Sequence, residues 1–327
     1  MSEKRKENKT KKFRFRDIPS LILETGKAWN RDDPWRLSAI VAYYALLALP
    51  GLLVVIINSV GAVWGQEIVQ GKVTEQIADL LGDDAARAIK VIVEETQEED
   101  RSFVATIIGI STLIFGATGV FYHLQLSINR VWEIKPAPGT GIKKILIDRA
   151  LSFAFVLVIG FLMLISFIIT TAISVLNDFI RENLPDFTVY FAYGLNELFS
   201  FAIITLLFAL MYRYLPDAKV RWRTVWIGAI ITALLFVLGK FLLGLYFGQA
   251  NPASAYGAAG SIVLIMLWVS YSSLIFFFGA EFTFVYSKRY GIGVEPKPHA
   301  IRIKKKVKVV EKGSEVSDDV DEEDIKS

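Results

Sequence analysis

Residues 260–286 read GSIVLIMLWVSYSSLIFFFGAEFTFVY, with Glu281 the one charge among them. A helix rises about 1.5 Å per residue, so roughly 20 apolar residues cross a hydrocarbon core of about 30 Å. A core helix of a water-soluble protein would show a shorter apolar run, about 10 to 14 residues, and a charged stripe. The stretch therefore reads as a membrane span. Five further segments meet the same test, at about 37–64, 103–126, 150–176, 190–212 and 225–247; in the fourth, the apolar core Leu198–Tyr212 has a lead-in from Tyr190. The expected fold class is all-α, a polytopic membrane protein with six transmembrane helices.

Basic residues near span ends are retained in the cytoplasm. Residues 1–36 carry eleven Lys or Arg, the loop 127–149 five, the loop 213–224 four and the tail 287–327 ten. The alternate loops 65–102, 177–197 and 248–259 carry four, one and none, and the first of these holds ten Asp or Glu. The alternation places both termini in the cytoplasm. The apolar run from Leu37 exceeds the h-region of a cleavable signal, about 7 to 15 residues, and is expected to remain as an anchor.

Three regions follow: a cytoplasmic arm and helix at 1–36, a six-span membrane domain at 37–286, and a cytoplasmic tail at 287–327. Met1–Lys12 is charged and poor in apolar groups, whereas Phe13, Ile18, Leu21, Ile22 and Trp29 recur near helical spacing. That spacing fits an interfacial amphipathic helix against the inner leaflet, or one docked on the protein's own loops. Asp33 and Pro34 read as N-cap and first position of the first span, and Pro50 is expected to kink it. In the loop 65–102, Val69, Val73, Ile77, Leu80 and Leu81 share a helical face. With Ala85–Glu95 they predict an external amphipathic hairpin, either a solvated loop or a cap over a cavity. The tail is basic at Ile301–Lys312 and mostly acidic at Glu315–Asp324, and its basic half is suited to anionic headgroups.

Ionisable and amide side chains inside spans are costly and mark candidate sites. Lys240 falls in the outer half of the fifth span and is read either as snorkelling outward or as a cavity-facing cation. Glu281 falls near the inner end of the sixth, where Arg213 or Arg130 is a natural partner. Gln125 and Asn129 are four residues apart at the end of the second span and so share a face. Asn58 adds an amide in the outer half of the first. Small residues, Gly109, Gly116 and Gly119 in the second span and Gly244 with Gly248 in the fifth, fit close helix contacts. Trp64, Trp132, Trp222 and Trp226 fall at expected membrane interfaces.

The sequence holds no P-loop, dinucleotide-binding glycine fingerprint, GxSxG or HExxH. It has no cysteine, and His123 and His299 are distant in sequence with no metal-ligand spacing. We therefore expect no cofactor, no metal site and no enzyme activity. Membrane lipids and anionic headgroups are the expected partners, nucleic acid is not, and homo-oligomers are compatible with the sequence.

Several ordered stretches carry a resemblance: Ala42-Tyr43-Tyr44-Ala45-Leu46-Leu47 before Pro50, Gly116-Ala117-Thr118-Gly119 with Asn129 and Trp132, and Tyr212-Arg213-Tyr214-Leu215-Pro216-Asp217. Lys219-Val220-Arg221-Trp222, Trp226-Ile227-Gly228-Ala229, Ser254-Ala255-Tyr256-Gly257-Ala258-Ala259-Gly260-Ser261 and Gly279-Ala280-Glu281 follow. Together they resemble the YihY/BrkB family of bacterial inner (plasma) membrane proteins across about residues 20–291, and the resemblance implies that location. The resemblance implies six spans and no settled activity, although many members carry the label ribonuclease BN. Metal-assisted RNA cleavage requires clustered carboxylates and imidazoles, and most acids here fall in the external loop or the tail. The chain departs from the commoner pattern at Ala48, where Ser is expected, and at Gly51. With Tyr43 of the first stretch, the candidate substrate-binding set is Lys240, Asn58, Gln125, Asn129, Tyr43 and Glu281, for a transporter or flippase-like protein handling a lipid or amphiphilic anion. The alternative reading is a structural scaffold whose polar residues only pack helices.

Overall fold

A computed structural model describes residues 14–65, 103–137, 186–250, 260–290 and 293–303, with isolated helical positions at 70, 71, 74, 90 and 154. The span expected at 150–176, the external hairpin, the arm Met1–Lys12 and the tail beyond residue 303 lie outside the described residues, apart from those isolated positions. A short turn at Phe15–Asp17 leads into α1 (Ile18–Arg31). Among the described residues five long helices follow: α2 (Pro34–Trp64), α3 (Phe103–Val131), α4 (Asp186–Tyr214), α5 (Trp222–Ala250) and α6 (Gly260–Arg289). Three of them contain segments long and apolar enough to cross a membrane, Glu197–Tyr214, Trp222–Tyr246 and Ile262–Arg289. The fold is that of an all-α membrane protein.

Helix ends follow local chemistry. The elbow between α1 and α2 places Asp33 at φ +56°, a left-handed conformation that Asp tolerates better than most residues. The Asp33 carboxylate accepts a bond from Arg36 Nε at 2.6 Å. As the sequence predicts, α2 begins at Pro34, where a missing N–H costs nothing. It then runs as one helix through Pro50 to Trp64, and Gly65 at φ +91° ends it.

Small residues set the helix spacing. Gly116 of α3 lies so close to α2 that an added Cβ would stand 2.6 Å from the Ala48 nitrogen, and one on Gly119 would overlap the Tyr44 ring. Between α5 and α6 the contact is reciprocal. A Cβ on Gly228 would overlap Thr283 Oγ1, and one on Gly279 would overlap Thr232 Oγ1. Each threonine hydroxyl donates to the carbonyl four residues back, Thr232 to Gly228 and Thr283 to Gly279, both at 2.7 Å. Two Gly-x-x-x-Thr turns thus interlock, with every hydroxyl satisfied within its own helix. Gly244, by contrast, faces open space.

α6 is the central helix, packed against α1, α2, α3 and α5. Every position from Gly279 to Ser287 is buried. Its near-uniform apolarity is what a helix enclosed on several sides requires. Trp132, expected at a membrane interface, is instead fully buried, because its Nε1–H reaches across α3 and α6 to donate to the Ala280 carbonyl at 3.0 Å. Trp222 and Trp226 remain exposed, as a belt position requires.

Four short strands join the loops at this end. β1 (Ile134–Pro136) pairs antiparallel with β4 (Ala300–Arg302), and β2 (Ala218–Lys219) pairs antiparallel with β3 (Glu295–Pro296). The segment 293–303 thereby straps the loop after α3 to the loop between α4 and α5. Further bonds close the strap: Ala137 N donates to His299 O at 2.9 Å, Lys297 N to Asp217 O at 2.9 Å and Ile303 N to Glu133 O at 2.7 Å.

Candidate functional site

A buried polar node lies where the strap meets the bundle. Gln125 and Asn129 share one face of α3, as their spacing predicts, and that face looks inward. Asn129 Nδ2 donates to Asp217 Oδ2 at 2.9 Å and Gln125 Nε2 to Asp217 Oδ1 at 3.4 Å. Asp217 returns the contact through its backbone N–H, which donates to Asn129 Oδ1 at 2.8 Å. His299 Nε2 stands 3.1 Å from Asp217 Oδ1, and its ring is 42% exposed where the carboxylate is 3% exposed. The node therefore links a buried carboxylate to the surface through one imidazole. Bonds of this kind to an ion are worth more than neutral ones, about 1.5–3 kcal/mol each, and they offset part of the cost of burying it.

Asp217 and His299 were not legible as partners of Gln125, because 82 residues separate them from each other and 92 separate Gln125 from Asp217. Pro216-Asp217 in a tight interhelical loop was the available signal. Its meaning depended on the strap's return, which no local pattern encodes.

Glu281 is 1% exposed, within the enclosed stretch of α6. Arg213, one partner considered for it, donates to the Val220 carbonyl and lies 5.6 Å above the Trp222 ring. A second polar group of α4 reaches the interior: the Tyr212 hydroxyl donates to the Phe276 carbonyl at 2.8 Å, and its oxygen lies 2.9 Å from Thr232 Oγ1. Tyr43 is exposed, its ring edge-on to Tyr44 at 5.4 Å, while Tyr44 stacks on His123 at 4.8 Å. Lys240 is exposed, among exposed Val237, Phe241 and Gly244, and makes no ion pair among the described residues. Asn58 lies in α2, and its side chain is outside the described residues. Of the six candidates, the structure brings together Gln125 and Asn129.

Sequence reasoning also missed an apolar groove. It has a volume of about 460 Å³ and lies between α5 and α6, lined by Leu235, Leu243, Leu267, Leu274 and Phe278. Trp29 and Trp35 from the α1–α2 elbow also line it. Trp29 meets Phe278 edge-on at 6.0 Å and tilts against Trp35 at 6.4 Å. From Leu267 to Phe278 the wall runs about 16 Å at helical rise.

A family model described as virulence factor BrkB matches residues 25–304, which takes in the bundle, the node and the strap. The chain belongs to the BrkB family. It is similar to a UPF0761 membrane protein of Verminephrobacter eiseniae, 26% identical over 63% of this chain and 47% of the relative. A second relative of that description, from Psychrobacter sp. (strain PRwf-1), is 22% identical over 91% of this chain and 54% of its own length. A third, from Psychromonas ingrahamii, is 26% identical over 74% of this chain and 79% of its own length. The chain spans about half the length of the first two relatives. No solved structure matches it. Together with the long apolar helices, the family makes this BrkB-family chain a multi-pass protein of the bacterial inner membrane.

Proposed function

We propose that this BrkB-family protein is a transporter or flippase-like protein for a lipid or amphiphilic anion, built on six spans with both termini in the cytoplasm. The observation that supports this most is the apolar groove on α5 and α6, lined also by Trp29 and Trp35. Its wall suits an acyl chain better than a hydrated solute, since among the described residues Ser270, Tyr246 and Tyr271 are the only hydroxyl-bearing residues lining it and no charged residue does. The basic residues of the short loops supply the field that would attract an anionic head. We read the protein as non-enzymatic, with the groove's apolar lining suited to binding and the node's Asp217 engaged by Gln125, Asn129 and His299.

The test is movement of a fluorescent phosphatidylglycerol across proteoliposomes containing the purified full chain. Lipid is expected to redistribute faster than in protein-free vesicles, and Leu235→Trp, which fills the groove, is expected to slow it at least threefold. Redistribution at the protein-free rate for every lipid offered would sink the proposal. A second reading, a structural scaffold, is favoured by the node, where Gln125 and Asn129 are committed to Asp217. A folded protein that moves no lipid supports that reading.

A further inference from the structure

α1, which brings Trp29 to the groove, has a surface that neither the bundle nor the transport reading uses. α1 presents four kinds of row in order around its axis, at about 100° per residue. The first row, Leu21, Thr25 and Ala28, docks on the Arg289 end of α6, where Leu21 packs with Phe282, Val285, Tyr286 and Tyr290. Next to it stand Ile18 and Ile22, exposed at 37% and 50%. Then comes Leu23, 60% exposed. Beyond Leu23 lie Lys27 and Arg31, four residues apart and both exposed, with no ion pair among the described residues.

Elsewhere on the helix the charges are engaged. Glu24 lies 3.8 Å from Arg289, and Asp17 accepts a bond from the Tyr290 hydroxyl at 2.8 Å. The two cations left over therefore flank the apolar row. A helix held to its protein on one side, apolar on the next and cationic on the third matches a bilayer surface in both hydrophobicity and charge. Trp29 and Trp35, the latter 63% exposed, stand at the same elbow, where aromatic rings favour the headgroup level.

We infer that α1 is a docking surface for anionic phospholipid of the inner leaflet, with Ile18, Ile22 and Leu23 entering the acyl boundary and Lys27 and Arg31 engaging phosphate. The inference shares the inward orientation of α1 with the proposed topology and is independent of transport. It concerns lipid that stays bound at the elbow, whether or not any lipid moves through the groove.

The native chain has no cysteine, so one introduced cysteine gives a single spin-labelling site in the full protein. Leu23→Cys and Lys27→Cys are labelled in nanodiscs of phosphatidylglycerol or of phosphatidylcholine, and collisions with oxygen and with a water-soluble nickel complex are measured. Nanodiscs expose both membrane faces, so a wrong topology does not obscure the result. The Leu23→Cys label is expected to collide severalfold more with oxygen than with nickel in phosphatidylglycerol, and Lys27→Cys the reverse. Adding Lys27→Gln and Arg31→Gln to Leu23→Cys is expected to abolish the difference between the two lipids, with the elution profile of the protein unchanged. Equal nickel access at both positions in phosphatidylglycerol overturns the proposal, as does a Leu23→Cys signal that ignores lipid charge. A triple variant that loses its elution profile is replaced by Lys27→Gln alone, held to the same criterion at half the effect.

Discussion

The two ends of α5 obey different rules. At the end near Trp222, Thr224, Val225, Ala229, Thr232 and Ala233 are buried and the Gly228–Thr283 and Gly279–Thr232 contacts fix α5 against α6. Toward Ala250, Lys240, Phe241, Leu242, Leu245 and Tyr246 are all exposed, and among the described residues a Cβ on Gly244 would meet no atom within 4 Å. Composition barely distinguishes the halves, since both are apolar and both carry glycine. The difference lies in what small residues do: one half uses them to bring backbones together, and the other leaves an apolar surface for the membrane to cover.

Substitutions test that contrast directly. Gly279→Val is expected to be the most damaging, because the branched side chain meets Thr232 Oγ1 and the Tyr212 hydroxyl, with overpacking of this kind costing about 1–3 kcal/mol and sometimes more. Thermal unfolding in detergent should show the drop, and a Gly244→Val control should show almost none. Equal effects at the two glycines would erase the distinction. Asp217→Ala comes next. It leaves the amides of Gln125 and Asn129 without their carboxylate, at about 1–3 kcal/mol, and limited proteolysis within 293–303 should accelerate as the strap loosens.

A smaller effect is expected from pH. The Tyr290 hydroxyl bond holds the Asp17 carboxyl below its ordinary range, so Asp17 stabilises docking above about pH 4, near its unfolded value, and loses that contribution as pH falls through its folded value. Tyr290 is pushed up to about 12, chiefly by desolvation and then by its bond to Asp17. Its contribution is complete below about pH 10 and is lost as pH rises through the folded value. Mobility of a spin label on α1 should therefore be flat from about pH 5 to 9 and rise outside that window. Tyr290→Phe should remove its share of both transitions, and unchanged curves would show that α1 docks without this bond. Smallest of all is Lys240→Ala, expected within about 0.5 kcal/mol of wild type, as for surface positions generally. A larger loss would reveal a partner for Lys240 and bring the far half of α5 under the rules of the near half.

The sequence disclosed the helices well, because long apolar runs are a local property. The expected spans at 37–64, 103–126, 190–212, 225–247 and 260–286 each fall inside a long helix. It also disclosed that Gln125 and Asn129 share a face. It could not disclose what that face meets, since Asp217 and His299 arrive from a distant loop and from the segment after α6. Trp132 shows the same limit: tryptophan at a span end suits a headgroup level, and only the Ala280 carbonyl across the interface explains its burial. The interlocked threonines were missed because Gly-x-x-x-Thr reads as ordinary composition until a second copy is known to face it.

The strap at 293–303 sets the order in which the protein can be finished. Residues that pair with it lie at 133–137 and 217–219, so those two turns wait, without their edge partners, while every later helix is threaded into the bilayer. Only when the ribosome has delivered the last strand does that face of the protein become whole. A nascent chain halted before residue 293 would carry its helices and still lack the clasp that joins those two turns.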